Sequence, residues 1–311
     1  MPVISVRNLV KQYQKSTQRA IDDISFDVDE GSFFAFLGPN GAGKTTTISI
    51  LTTTLAKTSG EIQIAGFDTE KEQSQVRHQI GVIFQNPSLD LNLSAEENIR
   101  FHAVLYGLYQ FRPSYSMMPT SYKHKVTELA EIIGIQKELF HPIKTFSGGM
   151  KRKLEIIRSL IHSPKVLFLD EPTSGLDPLS RKNVWEYLKE IREKNGTTIF
   201  LTTHYLEEAE SADTVAIINT GKIVIKGSPE MIKSSLVQHY LLIDAKDRER
   251  LQKELESKKF SFDIKENGFR VVLLSNTPQQ IIQSLDTPLS QMVVHMPTLE
   301  DAYLAIVDGK K

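Results

Sequence analysis

Cysteine is absent from the 311 residues, and tryptophan occurs once. The first absence excludes disulfides, thiolate metal sites and a cysteine nucleophile. It suits a reducing compartment. Neither sign of charge prevails: 37 Lys and Arg stand against 38 Asp and Glu, a formal net charge of −1. Nucleic acid is therefore not an expected partner, because the chain lacks a basic excess. No uncharged apolar run approaches the ~18 residues that span a bilayer. Any work at a membrane is expected to pass through a partner. The opening Met-Pro-Val-Ile-Ser-Val-Arg has no basic segment followed by an apolar one, so no secretory signal is expected. No internal repeat or low-complexity tract occurs. What is present is ordinary globular composition, 40% hydrophobic and 24% charged, in a chain with room for two or three domains.

Short apolar runs at 32–37, 79–84, 165–169, 197–201 and 215–218 alternate with helical patterns. They read as buried strands of a parallel sheet, and the fold class as α/β. Further strands are expected at 3–6 and 24–28, and a long helix after Lys44. From 86 to 163 no strand signal occurs. Ser94 and Glu97 form a capping box ahead of a helix over 98–108. Helices over 123–133 and 148–161 follow, so a helical subdomain is inserted at about 86–163. Segment 110–122, rich in Pro, Ser, Met and Tyr, is expected to be a loop. Near Ser228-Pro229 the register changes. A strand (240–244), a helix (248–258) and a hairpin (260–265 with 269–274, around Asn267-Gly268) come next. A helix (278–285), a strand (291–295) and a last helix (299–307) end the chain. The order β-α-β-β-α-β is that of a small α+β ferredoxin-like domain. The expected domains are 1–235 and 236–311.

Three motifs carry chemistry. Gly38-Pro39-Asn40-Gly41-Ala42-Gly43-Lys44-Thr45 matches G-x-x-x-x-G-K-[ST] between an apolar strand and a helix, with Thr46 next in line. Glycines let consecutive N–H groups curl around an anion, and the helix N-terminus adds partial positive charge. Lys44 would reach the β- and γ-phosphates and the Thr45 hydroxyl would ligate Mg²⁺. Val166-Leu-Phe-Leu-Asp170-Glu171 ends an apolar run with two carboxylates. Asp170 would support the Mg²⁺ shell, and Glu171 would accept a proton from attacking water. Phe146-Ser147-Gly148-Gly149-Met150 opens a helix, where a hydroxyl, N–H groups and the helix dipole converge on a second anion position. The Lys151-Arg152-Lys153 run behind it reads as a solvated face. One chain thus has two phosphate-recognition elements. Both grip one nucleotide only if two copies face each other.

With these residues the sequence resembles the nucleotide-binding subunit of an ABC transporter, over 3 to about 235. The resemblance implies a P-loop NTPase core of ABC type with ATP and Mg²⁺ as its ligands. Tyr13 lies where the family stacks an aromatic on adenine. Gln85 resembles the Q-loop glutamine, which meets Mg²⁺ and the membrane subunit. Ser147, Gly148 and Gly149 resemble the signature motif, which contacts the γ-phosphate held by the opposite subunit. Ser174-Gly-Leu-Asp177 resembles the D-loop, placing Asp177 in trans as well. Thr202-Thr203-His204 resembles the switch histidine. Asp177-Pro178 also reads as an N-cap with proline at the first helical position, the helix ending at Asn195-Gly196.

Phe146 and Met150 stand where the family more often has Leu and Gln. Phe-Ser-Gly-Gly-Met and the tail Pro297-Thr-Leu-Glu-Asp-Ala-Tyr-Leu-Ala-Ile resemble the ABC-2 exporter branch, which includes daunorubicin-resistance-like ATPases. That implies a transmembrane permease on a separate chain and a homodimer of ATPase subunits. It also implies a peripheral location on the cytoplasmic face and a dimerisation or regulatory C-terminal domain. Segment 110–122 looks longer than in that branch, either to tune the choice of permease or as a tolerated insertion. Other classes stay open: a non-transport ATPase of repair, chromosome structure or translation, an assembly ATPase, or an importer. The absence of sustained heptads, the single cassette and the near-neutral charge argue against the first.

Overall fold

A computed structural model describes residues 2–14, 16–85, 88–236, 239–273 and 277–307. It divides into two compact units, Met1–Lys226 and Gly227–Lys311. In the first, strands β1 (Pro2–Gln12) and β2 (Arg19–Asp29) pair antiparallel. Ile21, Ile24, Phe26 and Val28 of β2 turn inward. Strand β3 (Phe33–Leu37) is buried at every position and leads to helix α1 (Lys44–Leu51).

The long helix expected after Lys44 is corrected to eight residues. The threonines explain the early stop. β-Branched side chains crowd a helix, and threonine hydroxyls compete for its carbonyls. Thr52 Oγ1 donates back to the Ile48 carbonyl at 2.9 Å, and Thr53 turns to φ +60°. Strands β4 (Ser59–Ile64) and β5 (Phe67–Asp68) complete a sheet of order β2-β1-β4-β5. Helix α2 (Gln73–Gln79) leads to β6 (Ile80–Ile83).

The insertion is helical, as expected: α3 (Ala95–Leu105), α4 (Thr120–Ile133) and α5 (Gly148–Leu160), with no strand among its described residues. The capping box forms. Glu97 N–H donates to Ser94 Oγ at 3.3 Å, and Ser94 N–H donates to Glu97 Oε2 at 2.8 Å. Residue 86, the expected start of the insertion, lies outside the described residues. The loop expected over 110–122 is too long. Pro119 occupies the N-cap of α4, and Tyr122 is a 0% exposed member of its inner stripe with Val126, Leu129, Ala130 and Ile133. The Tyr122 hydroxyl donates to Glu96 Oε1 at 2.9 Å.

The chain then forms β7 (Val166–Asp170), α6 (Pro178–Asn195), β8 (Thr198–Thr203), α7 (Leu206–Ala209), β9 (Thr214–Asn219) and β10 (Lys222–Gly227). The second sheet has the order β10-β9-β3-β8-β7-β6. Its β9-β3-β8-β7-β6 pairings are parallel. Phe26 of the first sheet meets Phe34, Phe36 and Phe200 of the second, with Phe34 and Phe200 ring centroids 5.2 Å apart. This aromatic core clamps the two sheets together. The carboxyl ends of β3, β6, β7 and β8 therefore stand side by side, where parallel sheets present their ligand sites.

The second unit begins with α8 (Pro229–Leu236), which packs against the last helix. Between them come β11 (Tyr240–Ala245), α9 (Arg248–Ser257), β12 (Phe262–Lys265), β13 (Gly268–Val272), α10 (Pro278–Ser284), β14 (Leu289–His295) and α11 (Leu299–Val307). The antiparallel sheet β12-β13-β11-β14 has the ferredoxin-like strand order. Leu251 and Leu255 of α9 sit in its core. Residue 274, the expected end of the hairpin, lies outside the described residues. Among those described, no helix is long and apolar enough to cross a membrane.

Candidate functional site

The loop from β3 to α1 wraps a cavity of about 510 Å³ lined by Asn40, Gly41, Gly43, Lys44, Thr45 and Thr46, with Ala20 at its side. Two glycines are obligatory here. Gly41 takes φ +80° and Gly43 φ +113°. A Cβ on Gly43 would also lie 2.6 Å from the Ala20 carbonyl. Lys44 is buried, and its Nζ donates to the carbonyls of Gly38 (2.7 Å) and Pro39 (3.1 Å). Burial lowers its pKa, while Glu171 and Asp170 pull the other way. Ala42 is buried under the loop. Tyr13 keeps an exposed ring whose hydroxyl lies 3.4 Å from Thr46 Oγ1, outside the cavity lining.

The opposite wall comes from β6, β7 and β8. Gln85, Glu171, Ser174, His204 and Tyr205 line the same cavity. Gln85 Nε2 donates to Glu171 Oε2 at 3.0 Å, and His204 Nδ1 lies 3.1 Å from Glu171 Oε1. Two residues far apart in sequence, Gln85 and His204, thus meet at the carboxylate of a third. Glu171 itself sits at φ +48°, a strained conformation for a residue with a Cβ. Asp170 is buried behind it and accepts from Thr202 Oγ1 at 2.5 Å and from Thr45. Burial raises the Asp170 pKa and its hydroxyl donors oppose that rise. The Thr45 hydroxyl, the Asp170 carboxylate and the Gln85 amide oxygen are hard oxygen donors, the kind of ligand Mg²⁺ takes.

Ser147, Gly148, Gly149 and Asp177 do not line this cavity. Ser147 caps α5, accepting from Met150 N–H at 3.2 Å. Ser147 and Gly148 are exposed, and a Cβ on Gly148 would meet open space. Asp177 caps α6, accepting from Ser180 N–H (3.0 Å) and Ser180 Oγ (2.6 Å), which lowers its pKa. Pro178 is first in that helix, which stops at Gly196 with φ +64°.

The Lys151-Arg152-Lys153 run is not a solvated face throughout: Arg152 is 5% exposed. Sequence reasoning also missed Glu208. Its buried carboxylate accepts from Thr203 Oγ1 (2.6 Å), Trp185 Nε1 (3.3 Å) and Thr173 Oγ1, bracing the loops after β7 and β8. Only the run Leu-Glu-Glu-Ala-Glu marks it in sequence, and that run reads as an exposed acidic turn.

The family described as "ABC transporter" matches residues 21–174. The daunorubicin/doxorubicin resistance ATP-binding protein DrrA of Streptomyces peucetius is 38% identical over 258 residues, covering 82% of this chain and 74% of that protein. The probable multidrug ABC transporter ATP-binding protein YbhF of Escherichia coli K12 is 35% identical over 232 residues, covering 75% of this chain. The chain spans 38% of YbhF's length. A solved structure described as the ATP binding subunit of an ABC transporter superposes with a TM-score of 0.65 at 29% identity, covering 75% of this chain and 92% of that one. The P-loop core with its helical insertion is accordingly an ABC ATPase cassette, and the chain belongs to the ABC transporter family.

Proposed function

We propose that this ATPase powers an exporter of the ABC-2 type, on the cytoplasmic face of a membrane, through a permease carried on a separate chain. The observation that carries the chemistry is the convergence of Gln85 and His204 on Glu171, opposite Lys44 in one cavity. ATP would lie with its phosphates on the N–H groups of Gly41 to Thr46 and its adenine near Tyr13. Lys44 would exchange its two carbonyl partners for phosphate oxygens. Thr45, Gln85 and Asp170 would hold Mg²⁺, which supplies charge neutralisation at the phosphates when bound. Glu171 would accept the proton of the attacking water, with His204 orienting its carboxylate and meeting the γ-phosphate.

The exposed Ser147 and Gly148, outside the cavity, support completion of the site by a second copy. In that arrangement Ser147 to Gly149 and Asp177 act on the nucleotide held by the partner. The exporter assignment rests on the names of the relatives. DrrA is named for drug resistance and YbhF as a multidrug transporter protein. The units divide this labour: the first carries the ATPase, and the second, with no catalytic cluster among its described residues, is a dimerisation or regulatory module.

A pull-down tests the assignment. Glu171→Gln chain, tagged and expressed in its host, is recovered from solubilised membranes with ATP and Mg²⁺ present. A stoichiometric polytopic membrane protein is expected. Recovery of soluble proteins or nucleic acid alone would replace the transporter with a non-transport ATPase.

A further inference from the structure

Helix α5 buries a polar row that the nucleotide chemistry does not use. Arg152 and Glu155 are 5% and 3% exposed, and Arg152 Nη1 donates to Glu155 Oε2 at 2.9 Å. An ion pair buried among apolar groups is costly to desolvate and adds little stability over apolar residues of the same size. Its contribution here lies in what else it touches. Arg152 Nη1 donates to the Phe84 carbonyl (2.7 Å), Nε to the Pro172 carbonyl (2.5 Å) and Nη2 to the Glu171 carbonyl (3.3 Å). One planar guanidinium therefore joins the ends of β6 and β7, immediately beside Gln85 and at Glu171 itself.

The same helix holds the far side of the Gln85 segment. Ser88 N–H donates to Glu155 Oε1 at 3.1 Å, and Arg158 Nη1 donates to the Ser88 carbonyl at 2.6 Å. Residues 152, 155 and 158 thus grip residues 84 and 88 on either side of Gln85. The N-terminus of this helix is Ser147-Gly148-Gly149, the element that the proposed second copy would meet.

We infer that Arg152 is a positioning residue for ATP hydrolysis: its guanidinium sets the backbone of Glu171 and Gln85 according to where α5 stands, so that a shift of the signature helix reaches the catalytic carboxylate. The inference rests on the ATPase reading above. The strained φ of Glu171 gives the contact its purpose. A carboxylate on an unfavourable backbone relaxes unless its neighbours hold it. Arg152 holds its carbonyl, while the Glu171 N–H donates to the Thr202 carbonyl at 2.9 Å. Lysine cannot substitute here, because one ammonium on a flexible stem cannot span carbonyls from two strands in a fixed plane.

The test uses the full chain and three variants, with steady-state ATP hydrolysis, ATP-analogue binding and thermal melting read in parallel. Arg152→Lys keeps a charge for Glu155. It is expected to melt near the parent and to bind nucleotide within about threefold, while kcat falls about 10–100-fold, the scale of a misplaced catalytic group. Arg152→Met with Glu155→Gln removes both charges together. It is expected to fold and to show the same kcat loss with KM little changed. Full turnover in either folded variant would overturn the inference, because a charge partner or a packing group would then suffice. A loss confined to KM would overturn it too. Glu171→Gln is run alongside. If that variant retains turnover, the ATPase assignment itself fails; if it loses turnover while both Arg152 variants keep theirs, only the positioning role fails.

Discussion

A single residue, Glu171, gathers most of the site. Its side chain meets Gln85 and His204, and its left-handed backbone is held by Thr202 and Arg152. Strain of this kind costs about 1–3 kcal/mol and persists where surrounding bonds over-determine it. Glu171→Gln keeps the shape and the Gln85 contact but cannot take a proton. Turnover is expected to fall ~10²–10⁴-fold, the usual weight of a positioned base, with ATP binding retained. Turnover within a few-fold of the parent would remove Glu171 from that role. Lys44→Ala is expected to fail one step earlier, in equilibrium binding of nucleotide. At this scale the sequence was legible where chemistry needs a backbone pattern. Gly38, Gly43 and Lys44 announce themselves by spacing alone. Arg152 did not, because three consecutive basic residues look alike until packing decides which one the helical step turns inward. Glu208 stayed hidden for the same reason.

Among the elements, capping and apolar periodicity identified α5 and α6 closely and placed α3 three residues too late, and Asn267-Gly268 marked the hairpin. The strands missed were β4, β5 and β10. The two-residue β5 is too short to show a pattern, β4 buries only Ile62 and Ile64, and β10, at a sheet edge, is an apolar triplet between two lysines. Tyr122 reads as loop because Pro, Ser and Met around it resemble turn composition, whereas it is buried with its hydroxyl on Glu96 of α3. The insertion also carries a histidine that the sequence could not single out.

The His102 ring of α3 lies tilted against Tyr106 with centroids 4.4 Å apart, and Tyr106 stacks on His162 at 4.4 Å. Burial, aided by Arg158 and His162, pushes the His102 pKa down to about 3. An unfolded histidine titrates near 6.5. Between these values the unfolded chain takes the proton first. The stabilisation from a neutral His102 is therefore complete above pH ~6.5 and is lost as pH falls towards 3. His102→Phe keeps a ring against Tyr106 without the titration. Its melting temperature is expected to fall less steeply than the parent's between pH 7 and 4. Parallel slopes would show that acid sensitivity lies elsewhere.

For the whole molecule, the proposed second copy would account for two candidate anion-binding elements that do not meet within one chain. The phosphate loop, Gln85, Glu171 and His204 share one cavity, while Ser147 and Gly148 face solvent from the end of α5. The α/β class, the helical insertion and the ferredoxin-like second unit were all legible, because each depends on the order of elements rather than on their exact ends. The division between the units at Lys226 and Gly227 was less so. Ser228-Pro229 marks the junction, but the expected boundary at 235 and 236 leaves helix α8 with the first unit, and its packing against α11 assigns it to the second. The central claim is that the nucleotide is completed by a second copy. Sedimentation of the full-length Glu171→Gln chain tests it most directly. With ATP and Mg²⁺ the mass is expected to double, and the further change Ser147→Arg is expected to abolish the doubling while leaving nucleotide bound. A chain that binds ATP yet stays monomeric, or that dimerises regardless of Ser147, would contradict it.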